Sequence, residues 1–431
     1  MQNKLVSKRL SNWAGNVAIV APCFAQPSTE EALIHLVRNY RKIRVVGSAH
    51  SWNNHFETQE LLLNLDNYNK VLNLDRAAKI ITVQSGIKLW QLNNYLDKYG
   101  LALINLGSIN KQSIAGAIST GTHGTGIAFQ CLASQVLQFT LILPDGTKRI
   151  FEKGTDLFNA CVVSLGAFGI ISEVTLQVTD AFNLKEQTQT CSFDKVIEQL
   201  DSLLETNDHF KIWWLPPSKN VVVFTYQRTT ESVNDSRFRQ FFQDEIISVV
   251  GYRALVLVSN LFPNLRPKIN QFLTAQFDKP LNRIEKSYKV FNVPEPPKHR
   301  ETEWAFDLKN AKAILADYQK LFTETKHTFN FIQEIRFTKA DEFWLSECYG
   351  RNTIWIGAYN HFDAQWANIL KDFEAFAQSH DARPHWGKEF SVNKQYLEKH
   401  YEKFEDFKRL KNHFDPFQKF SNHLIGQIFE D

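Results

Sequence analysis

The stretch from Leu106 to Gly126 reads LGSINKQSIAGAISTGTHGTG. Glycine, serine and threonine dominate it, and apolar runs flank it. Few bulky side chains shield its backbone N–H groups, so the segment is equipped to cradle a pyrophosphate. Its glycine spacing is not that of a P-loop, and no Gly-Lys-Ser/Thr follows. A turn-rich connection is the alternative reading of the same residues.

Outward from this loop, the first part of the chain alternates strands and helices. Strands are expected at Val17–Val20, Ile43–Val46, Lys79–Gln84, Val136–Leu143 and Ile170–Val178, with a turn at Pro144-Asp145-Gly146. The Ser28 to Glu31 spacing predicts a capping box. The helix it starts should bury Ala32, Leu33, Leu36 and Val37. A second helix is expected over Leu89–Tyr99. No Gly-x-Gly-x-x-Gly follows the first strand, which argues against a nicotinamide-type Rossmann domain. Beyond about residue 180 the pattern shifts to longer helices at Phe193–Leu204, Arg237–Leu261 and Leu308–Phe322. Strands at Ile212–Trp214 and Val221–Tyr226 separate them, and a proline-rich connector runs from Val293 to Pro297.

Composition bounds the function. The chain has 431 residues, beyond the ~250–300 at which single cores stop growing, so two domains, or one domain with a large appended half, are expected. Forty-nine basic and 46 acidic side chains leave a net charge of +3, too balanced for a general grip on nucleic acid. The 34 Phe and 10 Trp suit a large core and a planar ligand. Five scattered cysteines form neither a closed disulfide framework nor a metal-ligand spacing, which fits reduced thiols in the cytoplasm. No metal is expected. The apolar stretch Ile246–Phe262, broken by Arg253 and Ser259, is short for a membrane span. A helix buried against the body is expected there; lying on a membrane surface is the less favoured reading.

Two further segments carry chemistry. Gly47-Ser48-Ala49-His50-Ser51 runs a strand into a small-residue turn that presents an imidazole. Phe329 to Phe337 alternates with a period of two, which puts Phe331, Ile335 and Phe337 on one face and Glu334 and Arg336 on the other. A carboxylate and a guanidinium on a rigid strand can position hydroxyls and stabilise a developing anion. A solvated strand face with an incidental ion pair is the plain alternative. Arg383 to Lys388 places a cation beside an aromatic ring.

These motifs, in this order, resemble the aldonolactone oxidoreductases of the vanillyl-alcohol-oxidase type flavoproteins: the sugar-1,4-lactone oxidases and the related alditol oxidases. The resemblance spans nearly the whole chain. It begins at Asn12-Trp13-Ala14-Gly15 and runs through Val46–Ser51, Leu106–Gly126, Leu165–Ile171 with Val174-Thr175-Leu176, Glu334-Ile335-Arg336, His385–Lys388, and Asp415-Pro416 with Lys419-Phe420. It implies an α+β architecture: a two-subdomain FAD-binding domain of the PCMH/VAO type over residues 1–180, and an α+β substrate (cap) domain over 181–380. A segment over 381–431 would return to the FAD domain.

The resemblance also implies roles. His50 would be joined covalently to the 8α-methyl of FAD. Arg44, Val45, Val46, Gly47, Ser48, Ala49 and Ser51, with Gly107, Ser108, Ser113, Gly116, Thr120, Gly121, Thr122 and His123, would hold the cofactor. Ile170, Ile171 and His385 would complete that set. Glu334, Arg336 and Lys388 would be catalytic and, with Ser108 and Asn360, would contact substrate. Gly107 leaves room for molecular oxygen, favouring an oxidase that makes hydrogen peroxide. Ser48-Ala49 departs from the Gly- or Arg-containing pairs common before the linking His. Segments 261–267, 287–292 and 301–305 look like those of lactone oxidases (D-arabinono, L-gulono or L-galactono type), whereas the Asn-Trp-Ala-Gly start looks like the alditol oxidases. The expectation is therefore a sugar-1,4-lactone oxidase, with an alditol oxidase or a lactone dehydrogenase using another acceptor as alternatives.

Overall fold

The computed structural model describes residues 6–234, 251–278, 281–325, 327–361 and 364–430. The first half builds two sheets. One has four strands, β1 (Val6–Ser11), β2 (Ala18–Ala25), β3 (Ile43–Val46) and β4 (Leu61–Asn64), in the order β1-β2-β4-β3. β2, β4 and β3 run parallel. β3 and β4 are short, nearly continuous apolar runs because the sheet is covered on both sides.

The second sheet is antiparallel. It comprises β5 (Val71–Asp75), β6 (Ile80–Gln84), β8 (Val136–Ile142), β9 (Lys148–Glu152) and β10 (Ile170–Gln177), in the order β5-β6-β10-β8-β9; the short β7 (Leu101–Ala102) pairs with β11 (Thr179–Asp180) outside it. The predicted strands recur within a residue or two, except that the first continues to Ala25. The first helix, Glu30–Asn39, is capped by Thr29, whose Oγ1 accepts from Ala32 N, and not by Ser28. That cap turns Ala32 outward, so only Leu33 and Val37 are fully buried.

The second half is organised on one antiparallel sheet of eight strands. These are β12 (Asn183–Ser192), β13 (His209–Trp214), β14 (Asn220–Thr229), β15 (Asn282–Lys286), β16 (Arg300–Asp307), β17 (Gln333–Thr338), β18 (Thr353–Asn360) and β19 (Arg383–Pro384), in the order β15-β12-β14-β13-β17-β18-β16-β19. One face is apolar. Ile212, Trp214, Val221, Trp304, Ile335, Phe337, Ile354 and Ile356 pack there with Val196, Leu315, Tyr318, Ile369 and Phe373 from the covering helices. The other face carries Lys211, Trp213, Glu301, Glu303, Glu334, Arg336, Trp355 and Tyr359, all but Trp213 fully buried.

Several expectations shift. Phe331 lies before β17 and joins Val256 and Tyr359 in a separate cluster, because the strand and its alternation begin only at Gln333. The Phe193–Leu204 pattern is two helices broken at Gln199. Of Arg237–Leu261, residues 237–250 lie outside the described residues, and a helix spans Tyr252–Leu261. Only Val256 and Ser259 of that helix are fully buried, while Leu257, Leu261 and Phe262 stand exposed, so the expected burial holds for one stripe alone. Among the described residues no helix is long and apolar enough to cross a membrane.

The C-terminal stretch packs back on the first half. Ile43 N donates to Lys419 O at 2.8 Å, and Asn422 Nδ2 donates to the carbonyls of Asn54, His55 and Glu57. Phe404, Phe407, Ile425 and Phe429 enter the same core as β6, β8 and β10.

Candidate active site

A cleft with about 1090 Å³ of empty space, its open mouth included, runs through the first half. β3 and the turn after it line one wall with Arg44, Val45, Val46, Gly47, Ser48, Ala49, His50 and Ser51. Ser113, Gly116 and Thr120 line another, and Ile170 and Ile171 a third. Ser113 caps the short helix Ile114–Ser119, its Oγ accepting from Gly116 N. Arg44 spends its guanidinium on three carbonyls, those of His55 (2.7 Å), Phe420 (2.7 Å) and Leu165 (2.9 Å). It therefore ties the walls together; burial pulls its pKa down to about 10. Ser85 Oγ, on the wall, is buried without a protein partner. A long cleft with small side chains, exposed backbone and an orphaned hydroxyl fits a dinucleotide such as FAD.

At the mouth Ala49 adopts φ 52°, in the left-handed region where glycine is at ease. This is the position where the sequence departs from the family pattern. His50 follows, its side chain 11% exposed. Trp13 stacks on its ring at 5.6 Å, Nδ1 lies 3.1 Å from Ser48 O, and Nε2 lies 3.1 Å from Glu295 Oε1. Burial pulls the imidazole's pKa down against the opposing pull of Glu295.

A second cluster forms where the polar face of the eight-stranded sheet meets the Leu106–Gly126 loop. Arg336 Nη2 donates to Ser108 Oγ at 2.6 Å and to Glu334 Oε2, and Nη1 donates to His123 O at 3.4 Å. Its Nε is buried without a partner. Glu334 Oε1 accepts from Lys211 Nζ at 3.1 Å and from Trp213 Nε1 at 2.8 Å. Burial pushes the Glu334 carboxyl up, but Arg336, Lys211 and the Trp213 indole outweigh it and hold it at about 2. Burial opposes the Arg336 charge, and Glu334 more than restores it.

Lys388 pairs with Glu301 and lies 4.1 Å from the Trp52 ring centre. His123 stacks on Trp355 at 3.7 Å, with Nε2 3.6 Å from Glu303 Oε1. His385 joins this group, and the ligating atoms of His123, Glu303 and His385 lie within 4.8 Å of one another. Burial disfavours the Glu303 carboxylate, but His123, Lys388 and His385 hold it ionised, while burial pulls the His123 imidazole down. Thr122 accepts from Gln112 Nε2 at 3.3 Å, and Gly121 takes φ 68° beside Glu347.

Two glycines shape the space. At Gly107 a Cβ would lie 3.1 Å from His123 O and 3.3 Å from Thr122 Cγ2, so close packing also requires a small residue there. Gly357 sits between Glu303 and Glu334 in the strand register. A Cβ there would strike the Tyr359 ring at 2.5 Å, so the glycine makes room for that ring. Asn360 is fully buried, and its Oδ1 accepts from Asn330 N at 3.1 Å. The structure thus places Ser108, Glu334 and Arg336 in direct contact, puts Lys388 at Glu301, and sets Asn360 at the end of β18. Sequence reasoning missed Lys211, Glu295, Glu301 and Glu303 as site residues. Of these only the Lys211-x-Trp213 alternation on a strand offered a local signal.

A cleft that fits a dinucleotide and a buried, charged sheet face suit a flavin-dependent oxidoreductase, and a family model described as an FAD binding domain matches residues 21–151. The second half gives the finer assignment. The chain belongs to the D-arabinono-1,4-lactone oxidase family, whose model matches residues 174–428. It is similar to L-gulono-1,4-lactone dehydrogenase of Mycobacterium tuberculosis, at 29% identity over 97% of this chain and 98% of the relative. It is also similar to L-gulonolactone oxidase of Bos taurus, at 30% identity over 98% of each chain. Its fold matches cholesterol oxidase from B. sterolicum with a TM-score of 0.82 at 14% identity, covering 99% of this chain and 97% of that one.

Proposed function

We propose that this protein is an oxidase of sugar-1,4-lactones, with FAD seated in the cleft and bound covalently through His50. The chain then divides at about residue 180, with residues 381–431 returning to the cofactor half. The observation that carries it is the Arg336 hub: one guanidinium contacts Ser108 from the cofactor half and Glu334 from the substrate half. When bound, FAD accepts the hydride of the carbinol carbon; the chain's own groups orient the substrate and manage charge.

Glu334 has a pKa of about 2 and both oxygens taken, so it anchors Arg336 and does not collect the hydroxyl proton. Arg336 Nε is the donor left for a developing alkoxide or a reduced-flavin anion, a role in which one donor is worth ~3–4 kcal/mol. Lys388 adds a second cation from the C-terminal stretch. Relatives named both dehydrogenase and oxidase leave the acceptor to the residues; Gly107 carries no side chain to bar dioxygen as acceptor, with hydrogen peroxide as product. Five free cysteines support a cytoplasmic location. The exposed Leu257, Leu261 and Phe262 support peripheral attachment to a membrane as the second reading of location.

The test is anaerobic bleaching of the flavin absorbance by L-gulono-, L-galactono- and D-arabinono-1,4-lactone against xylitol and sorbitol, followed by peroxide detection in air. Bleaching by a lactone with peroxide formation is expected. Bleaching by alditols alone would establish the alternative substrate class, and bleaching without peroxide the alternative acceptor.

A further inference from the structure

We propose that Glu295 is the proton acceptor that prepares His50 for covalent attachment of the flavin and completes the step; this rests on the linkage proposed above. Glu295 lies far from His50 in sequence, in the connector of the other half of the chain, yet its Oε1 lies 3.1 Å from His50 Nε2. The connector is stiff. Pro294, Pro296 and Pro297 flank Glu295, each proline fixes its own φ, and Pro296 also holds Glu295 extended. It is pinned at both ends: Val293 N donates to Ser108 O at 3.0 Å, and His299 O accepts from Trp52 Nε1 at 2.8 Å. Trp13, in turn, packs on both His50 and His299. The imidazole is thus held on one face and on both nitrogen edges, and it lines the cleft that fits FAD.

The chemistry follows from what each edge can do. A carboxylate only accepts, so in the neutral ring Glu295 keeps the proton on Nε2 and leaves the lone pair on Nδ1. That lone pair then faces Ser48 O, another acceptor at 3.1 Å, so the Ser48 carbonyl must turn aside as Nδ1 meets the 8α carbon. In the linking step Nδ1 forms a bond to the 8α carbon of the flavin. One C–H bond of that methyl breaks, its proton goes to solvent, and its electron pair reduces the flavin. Dioxygen takes the pair and leaves, with two protons, as hydrogen peroxide. The alkylated ring would remain a cation, and its Nε2 proton passes to Glu295.

The experiment incubates full-length apo-protein with FAD, quenches aliquots in acid, and measures flavin in pellet and supernatant. Wild type is expected to move flavin into the pellet. Glu295→Gln is expected to bind the same total flavin before the quench but to link it about 10²-fold more slowly. Glu295→Asp should link, and formate should accelerate Glu295→Ala by supplying a carboxylate. Linkage by Glu295→Gln at the wild-type rate, or an Asp variant as slow as Gln, overturns the role of Glu295 while leaving the His50 linkage standing. Flavin that stays in the wild-type supernatant overturns both. Should Glu295→Gln bind less flavin, the rate per bound flavin carries the same comparison.

Discussion

Arg336 shows why charge alone does not make the site. Its planar fork reaches Ser108, His123 and Glu334 together, and an ammonium on a flexible stem cannot reproduce that geometry. Arg336→Lys is expected to slow anaerobic flavin reduction by roughly 10²–10³ with little change in flavin binding, measured by stopped-flow absorbance. At this scale the sequence was informative where chemistry sits on adjacent positions. Glu334 and Arg336 are two residues apart on a strand, so their shared face could be read from alternation. Lys211, 123 residues from its partner Glu334, could not be placed without the register of β13 against β17. Arg44 was legible in part for a related reason: its position beside the cleft could be read, but the three carbonyls its guanidinium reaches come from distant segments.

Among the elements, the β13–β17 pair decides how Glu334 is kept ionised. Lys211 and Trp213 alternate along β13 as Glu334 and Arg336 do along β17, and the two strands bring these side chains onto the same face. Lys211→Met removes one of three donors while Arg336 and Trp213 remain. A loss of about 1–2 kcal/mol in urea unfolding is expected, below the ~3–5 kcal/mol of an orphaned buried charge. Glu334 should then protonate at higher pH, so the acid limb of the flavin-reduction profile should move upward. The strands themselves were largely legible, because alternation over an apolar face survives in sequence. The Ser28 cap and the single Phe193–Leu204 helix were not: neighbouring residues offered equivalent caps and breaks, and tertiary packing chose between them.

For the whole molecule, buried histidines set the response to acid. His55 donates through Nε2 to Trp386 O at 2.6 Å, and His209 through Nδ1 to Thr125 O at 2.7 Å. The second nitrogen of each is buried without a partner. Burial lowers both pKa values to about 4, against ~6.5 in the unfolded chain. The unfolded state therefore binds more protons below pH 6.5, and stability falls as pH drops from there toward 4. By pH 5 the loss is about 2 kcal/mol per histidine, while the Asp341 carboxyl, raised by burial to about 7, returns about 2 kcal/mol over the same interval, so the urea midpoint should fall from pH 7 to pH 5 by about the equivalent of one histidine. Glu334, depressed to about 2, adds a further loss only below the ordinary carboxylate range.

The clasp between Arg44 and Phe420 O spans 376 positions of the chain. On a ribosome adding ~5–20 residues per second, roughly half a minute separates the making of its two ends. Through that interval β3 and the His50 turn exist without the Phe420 wall. The cleft that fits FAD is therefore incomplete until residue 420 has been made, and scarcity of FAD would act on chains elongated past that point.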